Sequence, residues 1–312
     1  MRLVLGFLIG VTLNAGTLLV LNKEDATLVF VDTATRTVSA PIPVGQGPHE
    51  IVTSTDGKLA FVTNYGTGNQ PGSTISVIDI PARKELRRFD TTPLGRPHGI
   101  DFYSGKAYFT SESSKIIARY DPATNKTDWL LGTGQTTTHM VTVGTNGKQF
   151  YTANIGGNTI SIIENAPGYA QTVVPVGKGP EGFDISPDGR QLWAANSQDG
   201  TISVIDLTTK QVTATVDVGT KRSNRLKFTP DAKTVLITDL TAGDLIFLDV
   251  ATRKVTKRLQ VGKAPEGIII IGKTAYIAVN GDDFIQLIDL ATQTATTRIQ
   301  TGKGPDGMAY LP

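Results

Sequence analysis

The chain has 312 residues and no cysteine. That excludes disulfides, thiolate metal ligands and a thiol nucleophile, although it does not choose a compartment, because a large core can be stable without cross-links. Aromatic residues are few, at 7%, and charged residues make up 19%. Net charge is +2 and no run of lysine and arginine stands out, so the electrostatic footprint of a nucleic-acid binder is weak. No convincing amphipathic helix is present. One long apolar run exists, "LVLGFLIGVTL" at residues 3–13, between Met1-Arg2 and Asn14-Ala15-Gly16. Its basic start and its length predict a secretory signal over 1–15, cleaved after Ala15, although Leu13 sits where a small residue is preferred. A retained membrane span would need roughly 20 apolar residues and would consume "TLLVLN", which the pattern below requires as a strand. The reading is therefore a periplasmic, secreted or cell-surface protein, with no transmembrane helix in the mature chain and residues 16–312 as one domain.

What the chain has in quantity is glycine, 33 residues, with frequent threonine and valine. This mixture favours many strands joined by tight turns. One phrase keeps returning: "VGQGPHEI" from Val44, "LGRPHGI" from Leu94, "TTTHMV" from Thr136, "VGKGPEGF" from Val176, "VGTKRSNRL" from Val218, "VGKAPEGI" from Val261 and "TGKGPDGM" from Thr301. The residues in register are His49, His98, His139, Glu181, Asn224, Glu266 and Asp306, separated by 49, 41, 42, 43, 42 and 40 positions. Seven copies at a period near forty signal a repeat architecture with one supersecondary unit per copy.

The fourth copy shows the unit clearly. "GFDISPDGR" is a strand entering a tight turn, "QLWAANS" a second strand, "GTISVIDLTT" a third and "QVTATVDVG" a fourth. Four-stranded antiparallel units arranged radially make a β-propeller. The last copy supplies only a first strand, and "TLLVLN", "TLVFVDTA" and "TVSAPIPVG" at the start supply the other three. The prediction is an all-β, seven-bladed propeller whose ring is closed by N- and C-terminal strands in one blade, since either piece alone would leave unpaired edges.

"FVTN" at 61–64, "YTAN" at 151–154, "WAAN" at 193–196 and "TISVID" at 74–79 and 201–206 resemble the YVTN-repeat family of seven-bladed propellers. That family includes archaeal surface-layer repeats and bacterial periplasmic propellers. The resemblance implies the fold over nearly all of the chain after residue 16 and says little of activity, because propellers host unrelated functions.

Strand directions place the recurring phrase and the loops after each second strand on one face. In propellers the first strand is normally innermost, so the seven register residues ring the mouth of the central channel. Lys23, Glu24, Asp25, the segment 65–72, Glu112, Asp239, Asp282 and Asp283 join them there. Asp32, Asp79, Asp121, Asp206, Asp249 and Asp289 end the third strands on the opposite face, where their carboxylates cap turns. Asn22, Asn64, Asn154, Asn196 and Asn280 close second strands and are likewise turn chemistry.

Three histidines on adjacent blades at one level suit a divalent transition metal such as zinc, copper, iron or manganese, with His49, His98 and His139 as ligands. Glu50 or Glu181 could then serve as general base or as a further ligand. Against this stands a plainer account: duplicated copies share residues by descent, and the imidazoles hydrogen-bond neighbouring blades. Tyr65, Asn224, Arg225, Glu266 and Asp306 are candidate ligand-binding residues at the same mouth. Lys221-Arg222-Ser223-Asn224-Arg225-Leu226-Lys227, where the fifth copy loses its Gly-Pro, reads as an anion clamp or as one basic surface loop. Two functions remain open. One is an extracytoplasmic propeller, monomeric, binding a small molecule or protein at the channel mouth. The other is a metal-dependent lyase, hydrolase or oxidoreductase on the same face. Single-stranded nucleic-acid binding, known among bacterial relatives of this fold, is disfavoured by the charge balance and the scarcity of aromatics.

Overall fold

A computed structural model describes residues 16–312; the expected signal at 1–15 lies outside the described residues. Seven antiparallel sheets of four strands form the molecule. The closure blade pairs the C-terminal strand Pro305–Leu311 with Thr17–Asn22, followed by Thr27–Asp32 and Ile42–Pro43. The second to seventh blades begin with the inner strands Pro48–Thr53, Pro97–Tyr103, Thr138–Val143, Pro180–Ile185, Ser223–Phe228 and Pro265–Ile271. Each inner strand touches the next around a full circle, back to Pro305–Leu311. Among the described residues the only helices are single 3₁₀ turns at Ile155–Gly157 and Asn280–Asp282.

Second and third strands are almost wholly buried, because both faces of each blade pack on neighbouring blades. Between the fifth and sixth blades, Trp193, Ala195, Ile202 and Val204 meet Leu226, Phe228, Val235 and Ile237. Fourth strands alternate between exposed and half-buried residues, as outer edges do. One expected strand is largely missing. "TVSAPIPVG" contributes only Ile42–Pro43 and an isolated bridge from Val38 to Val31. Pro41 and Pro43 have no N–H to donate, so the ladder cannot run through them.

The repeated asparagines and aspartates take the expected structural roles. Asn196 donates to Thr201 Oγ1 at 2.9 Å and Ser203 Oγ at 3.0 Å, tying the second strand to the third; Asn64 and Asn154 do the same. Asp206 accepts from the backbone of Thr208 and Thr209, and Asp32 from Ala34 and Thr35.

The glycine after the register residue has a separate cause. A Cβ at Gly267 would lie 2.3 Å from the carbonyl oxygen of Asp306, and one at Gly307 would lie 2.3 Å from that of His49. Inner strands approach so closely here that a side chain meets the next backbone. The second, fourth and sixth blades carry Glu50, Met140 and Arg225 at this position instead. Glu50 and Arg225 turn out to be the groups that meet across the channel.

Candidate functional site at the channel mouth

All seven register residues are buried. The local sequence explains their convergence. The bend before each inner strand delivers the chain from the rim to the axis, and the next residue faces the equivalent residue of the adjoining blade. His49, His98 and His139 thereby form a stacked arc. The ring centroids of His49 and His98 are 4.2 Å apart, and those of His98 and His139 are 3.6 Å apart with a tilt of 33°. Their potential ligand atoms fall into two overlapping sets, His49–Glu50–His98 and His98–Glu112–His139, each within 4.8 Å. His98 belongs to both.

His49 Nε2 lies 3.0 Å from Lys23 Nζ, and His49 Nδ1 lies 3.0 Å from Asp306 Oδ2, off the line of a good hydrogen bond. An ammonium only donates, so Nε2 is the accepting nitrogen and Nδ1 carries the proton. Burial pushes His49 down to about 3 despite Asp306, so it is neutral at physiological pH. His98 is also driven well below the usual imidazole range, by burial and then by its histidine neighbours. His139 Nδ1 is 2.5 Å from Glu112 Oε1, and Glu112 Oε2 accepts from the Tyr65 hydroxyl at 2.6 Å. Burial, reinforced by Glu112, pushes Tyr65 up to about 12. The Arg96 guanidinium sits 4.9 Å over the Tyr65 ring.

The other arc is built from ion pairs. Arg225 reaches across the axis from the sixth blade to Glu50 of the second, donating through Nη2. Burial alone would weaken the Arg225 charge, but Glu50, Asp306, Glu181 and Glu266 outweigh it and hold the guanidinium firmly protonated. Burial raises Glu50 above the usual carboxylate range, with Arg225 opposing. Asn224 donates to Glu181 Oε1 at 2.9 Å. Lys23 donates to Asp306 Oδ2 at 3.2 Å. Burial and the Asp306 charge lift Glu266 well above its ordinary range. Burial opposes the ionisation of Asp306, but His49, Lys23 and Arg225 outweigh it and hold that carboxyl low. Five carboxyl groups, Glu50, Glu112, Glu181, Glu266 and Asp306, thus share the mouth with two enclosed cations, Lys23 and Arg225.

Above this layer lies a cavity of about 520 Å³. His49, His98, His139, Tyr65, Glu112 and Glu181 line it, and Lys221 and Arg222 stand on another part of its wall. Of the residues singled out from sequence, Glu50, Asn224, Arg225, Glu266 and Asp306 are outside that lining. Within the basic stretch 221–227, Arg225 is paired with Glu50 inside the channel. The Lys221 and Arg222 side chains of that stretch are exposed and have no carboxylate partner. Their backbone N–H groups donate to Asp239 at 2.7 and 3.0 Å, which pins the loop. Glu112 was expected on this face but without a role. It is the carboxylate that holds His139, and its position after the second strand of the third blade, equivalent to Tyr65 and Lys23, was the available signal.

Comparison with known proteins places these features in context. A family model described as YNCE-like beta-propeller matches residues 86–276. No curated protein matches the sequence. Among solved structures, hydrazine synthase of Kuenenia stuttgartiensis is similar at 20% identity and a TM-score of 0.71, over 84% of this chain and 88% of that one. The Pseudomonas aeruginosa periplasmic gluconolactonase PpgL is similar at 17% identity and 0.77, over 95% and 99%. A functionally unknown protein from Desulfotomaculum acetoxidans is similar at 12% identity and 0.77, over 95% and 99%. At these identities the likeness shows the fold alone. Among the described residues no helix is long and apolar enough to cross a membrane.

Proposed function

Since the chain belongs to the YNCE-like β-propeller family, we propose that it is an extracytoplasmic propeller that captures a small polar ligand bearing an anionic group in the mouth cavity. The observation that carries this reading is the wall itself. Lys221 and Arg222 are unpaired cations on a pinned loop, and they face a space also lined by the three imidazoles and the Tyr65–Glu112 pair. About 520 Å³ falls in the range of small-molecule sites, roughly 300–1,000 Å³. A carboxylate or phosphate meets the cations, and hydroxyl groups meet the imidazole nitrogens and Glu112. One structural neighbour is named a gluconolactonase, and sugar acids belong to this chemical class. Export rests on the apolar run at 3–13.

Calorimetric titration with gluconate, 6-phosphogluconate and inorganic phosphate tests the ligand class. At least one of these should bind wild-type protein, and a Lys221→Ala/Arg222→Ala variant should bind it at least ~10-fold more weakly, since hydrogen bonds to charged groups are worth about 1.5–3 kcal/mol each. Equal affinity in the variant, or no binding of any of the three to wild type, refutes the reading. The intact mass of the exported protein, expected to begin at Gly16, tests the location.

A further inference from the structure

His98 is 1% exposed, and neither of its ring nitrogens has a hydrogen-bond partner. Buried polar groups are nearly always partnered, and an exception calls for a cause. The plain account of these histidines, as core residues satisfied by neighbouring blades, covers one nitrogen of His49, which meets Lys23, but fails for both nitrogens of His98. The cause lies next to it. Glu112 Oε1 accepts from His139 Nδ1 at 2.5 Å, so in the neutral ring the lone pair is on Nε2, which is also buried without a partner. A carboxylate on one imidazole nitrogen is the arrangement that orients the other toward a metal ion. Tyr65 fixes the carboxylate in turn, through its hydrogen bond at 2.6 Å.

We infer that the third and fourth blades form a site for one divalent transition-metal ion, held by His139 Nε2 and a ring nitrogen of His98, with Glu112 as the positioning carboxylate. Resting on the mouth reading above, this gives the captured ligand a second anchor, because the remaining coordination positions open onto the cavity that His98, His139 and Glu112 line. The competing set of His49, Glu50 and His98 is less suited. Glu50 is paired with Arg225, and His49 lies between Lys23 and Asp306. One ion shared by all three imidazoles is not favoured either, since their ligand atoms divide into two sets. Imidazole donors without thiolate favour zinc, copper, nickel or iron over calcium or magnesium. The rings of His98 and His139 stack at 3.6 Å, so coordination turns them out of the stack. His98, tethered by no hydrogen bond, is the ring free to turn.

The test is titration of chelator-treated full-length protein with Zn²⁺ and Cu²⁺, together with the electron paramagnetic resonance spectrum of the Cu²⁺ form. One ion per chain and hyperfine structure from two imidazole nitrogens are expected. Glu112→Gln should weaken affinity about 10–100-fold, and His98→Phe, which keeps a planar ring of somewhat larger size, should remove one nitrogen from the spectrum. Circular dichroism of each variant confirms folding. Absence of stoichiometric binding by folded wild-type protein overturns the site, as does binding that His98→Phe leaves unchanged. The anion titration of metal-free protein and its Lys221→Ala/Arg222→Ala variant reads the mouth proposal separately, so either can fail while the other stands.

Discussion

On the acidic side of the ring, Asp306 is held by Lys23 at 3.2 Å, Glu181 by Asn224 at 2.9 Å, and Glu50 by Arg225 from the far side of the channel. On the histidine side, at the same register and equally buried, His98 has no partner and His139 leaves one nitrogen bare. Both arcs arise from one repeated backbone, so the fold demands neither set of side chains. In the paired arc Asp306, Glu181 and Glu50 each have a partner within the protein, although Asp306 Oδ1, Arg225 Nη1 and Asn224 Oδ1 are left bare. In the histidine arc a whole side chain, His98, has no partner, and that contrast separates a structural use of the register from a functional one.

The largest test of this contrast is Arg225→Met. Met fills comparable space but leaves Glu50 without its counter-charge inside the channel. The loss should be about 3–5 kcal/mol, the usual cost of breaking a buried pair. Glu50→Gln combined with Arg225→Met should recover most of it, and urea unfolding of the single and double variants gives the coupling directly. A loss under about 1 kcal/mol in Arg225→Met would mean that water, and not Arg225, satisfies Glu50.

The histidine arc should behave in the opposite sense. With metal removed by chelator, His98→Phe should come within about 1 kcal/mol of wild-type stability, because losing an unpartnered polar ring offsets the cost of fitting a larger apolar one. Asp306→Asn, which weakens the contacts to Lys23 and His49, should cost about 2 kcal/mol. Thermal melts of both variants alongside wild type make the comparison. If His98→Phe proved the more costly, the two arcs would be alike and the histidines structural.

The period of the recurring phrase made seven blades, the shared closure blade and the mouth register legible, because each depends on local strand and turn chemistry. It also brought out His49, His98 and His139 as one level of the ring. The partners were harder to read. Glu50 and Arg225 are 175 positions apart. Their meeting depends on which blades stand opposite after the ring closes, and both replace a glycine that four other blades keep for close approach. Glu112 lies 27 positions from His139, on the blade before it, and a loop glutamate carries no motif. Arg225 and Lys221-Arg222 stand together in sequence, yet one is enclosed and two are exposed, because successive residues at the start of an inner strand diverge between channel and rim.

The smallest effect expected lies on the opposite face, where titration serves the fold alone. Asp121 is 2.5 Å from Lys106 and accepts from the backbone N–H of Ala123. Lys106 draws its carboxyl down to about 2 from 3.8. A depressed folded-state value means that the unfolded chain takes up the proton first as the solution is acidified. The stabilisation is therefore complete above 3.8 and fades as pH falls toward about 2. Asp121→Asn should lower the melting temperature at pH 7 by about 2 °C or less, as a pair whose lysine lies at the surface contributes little, and that difference should disappear near pH 2. A difference that persisted at pH 2 would assign the effect to the turn hydrogen bonds and not to the charge. Neither result should alter metal or anion binding at the mouth, which is what distinguishes this face from the histidine arc.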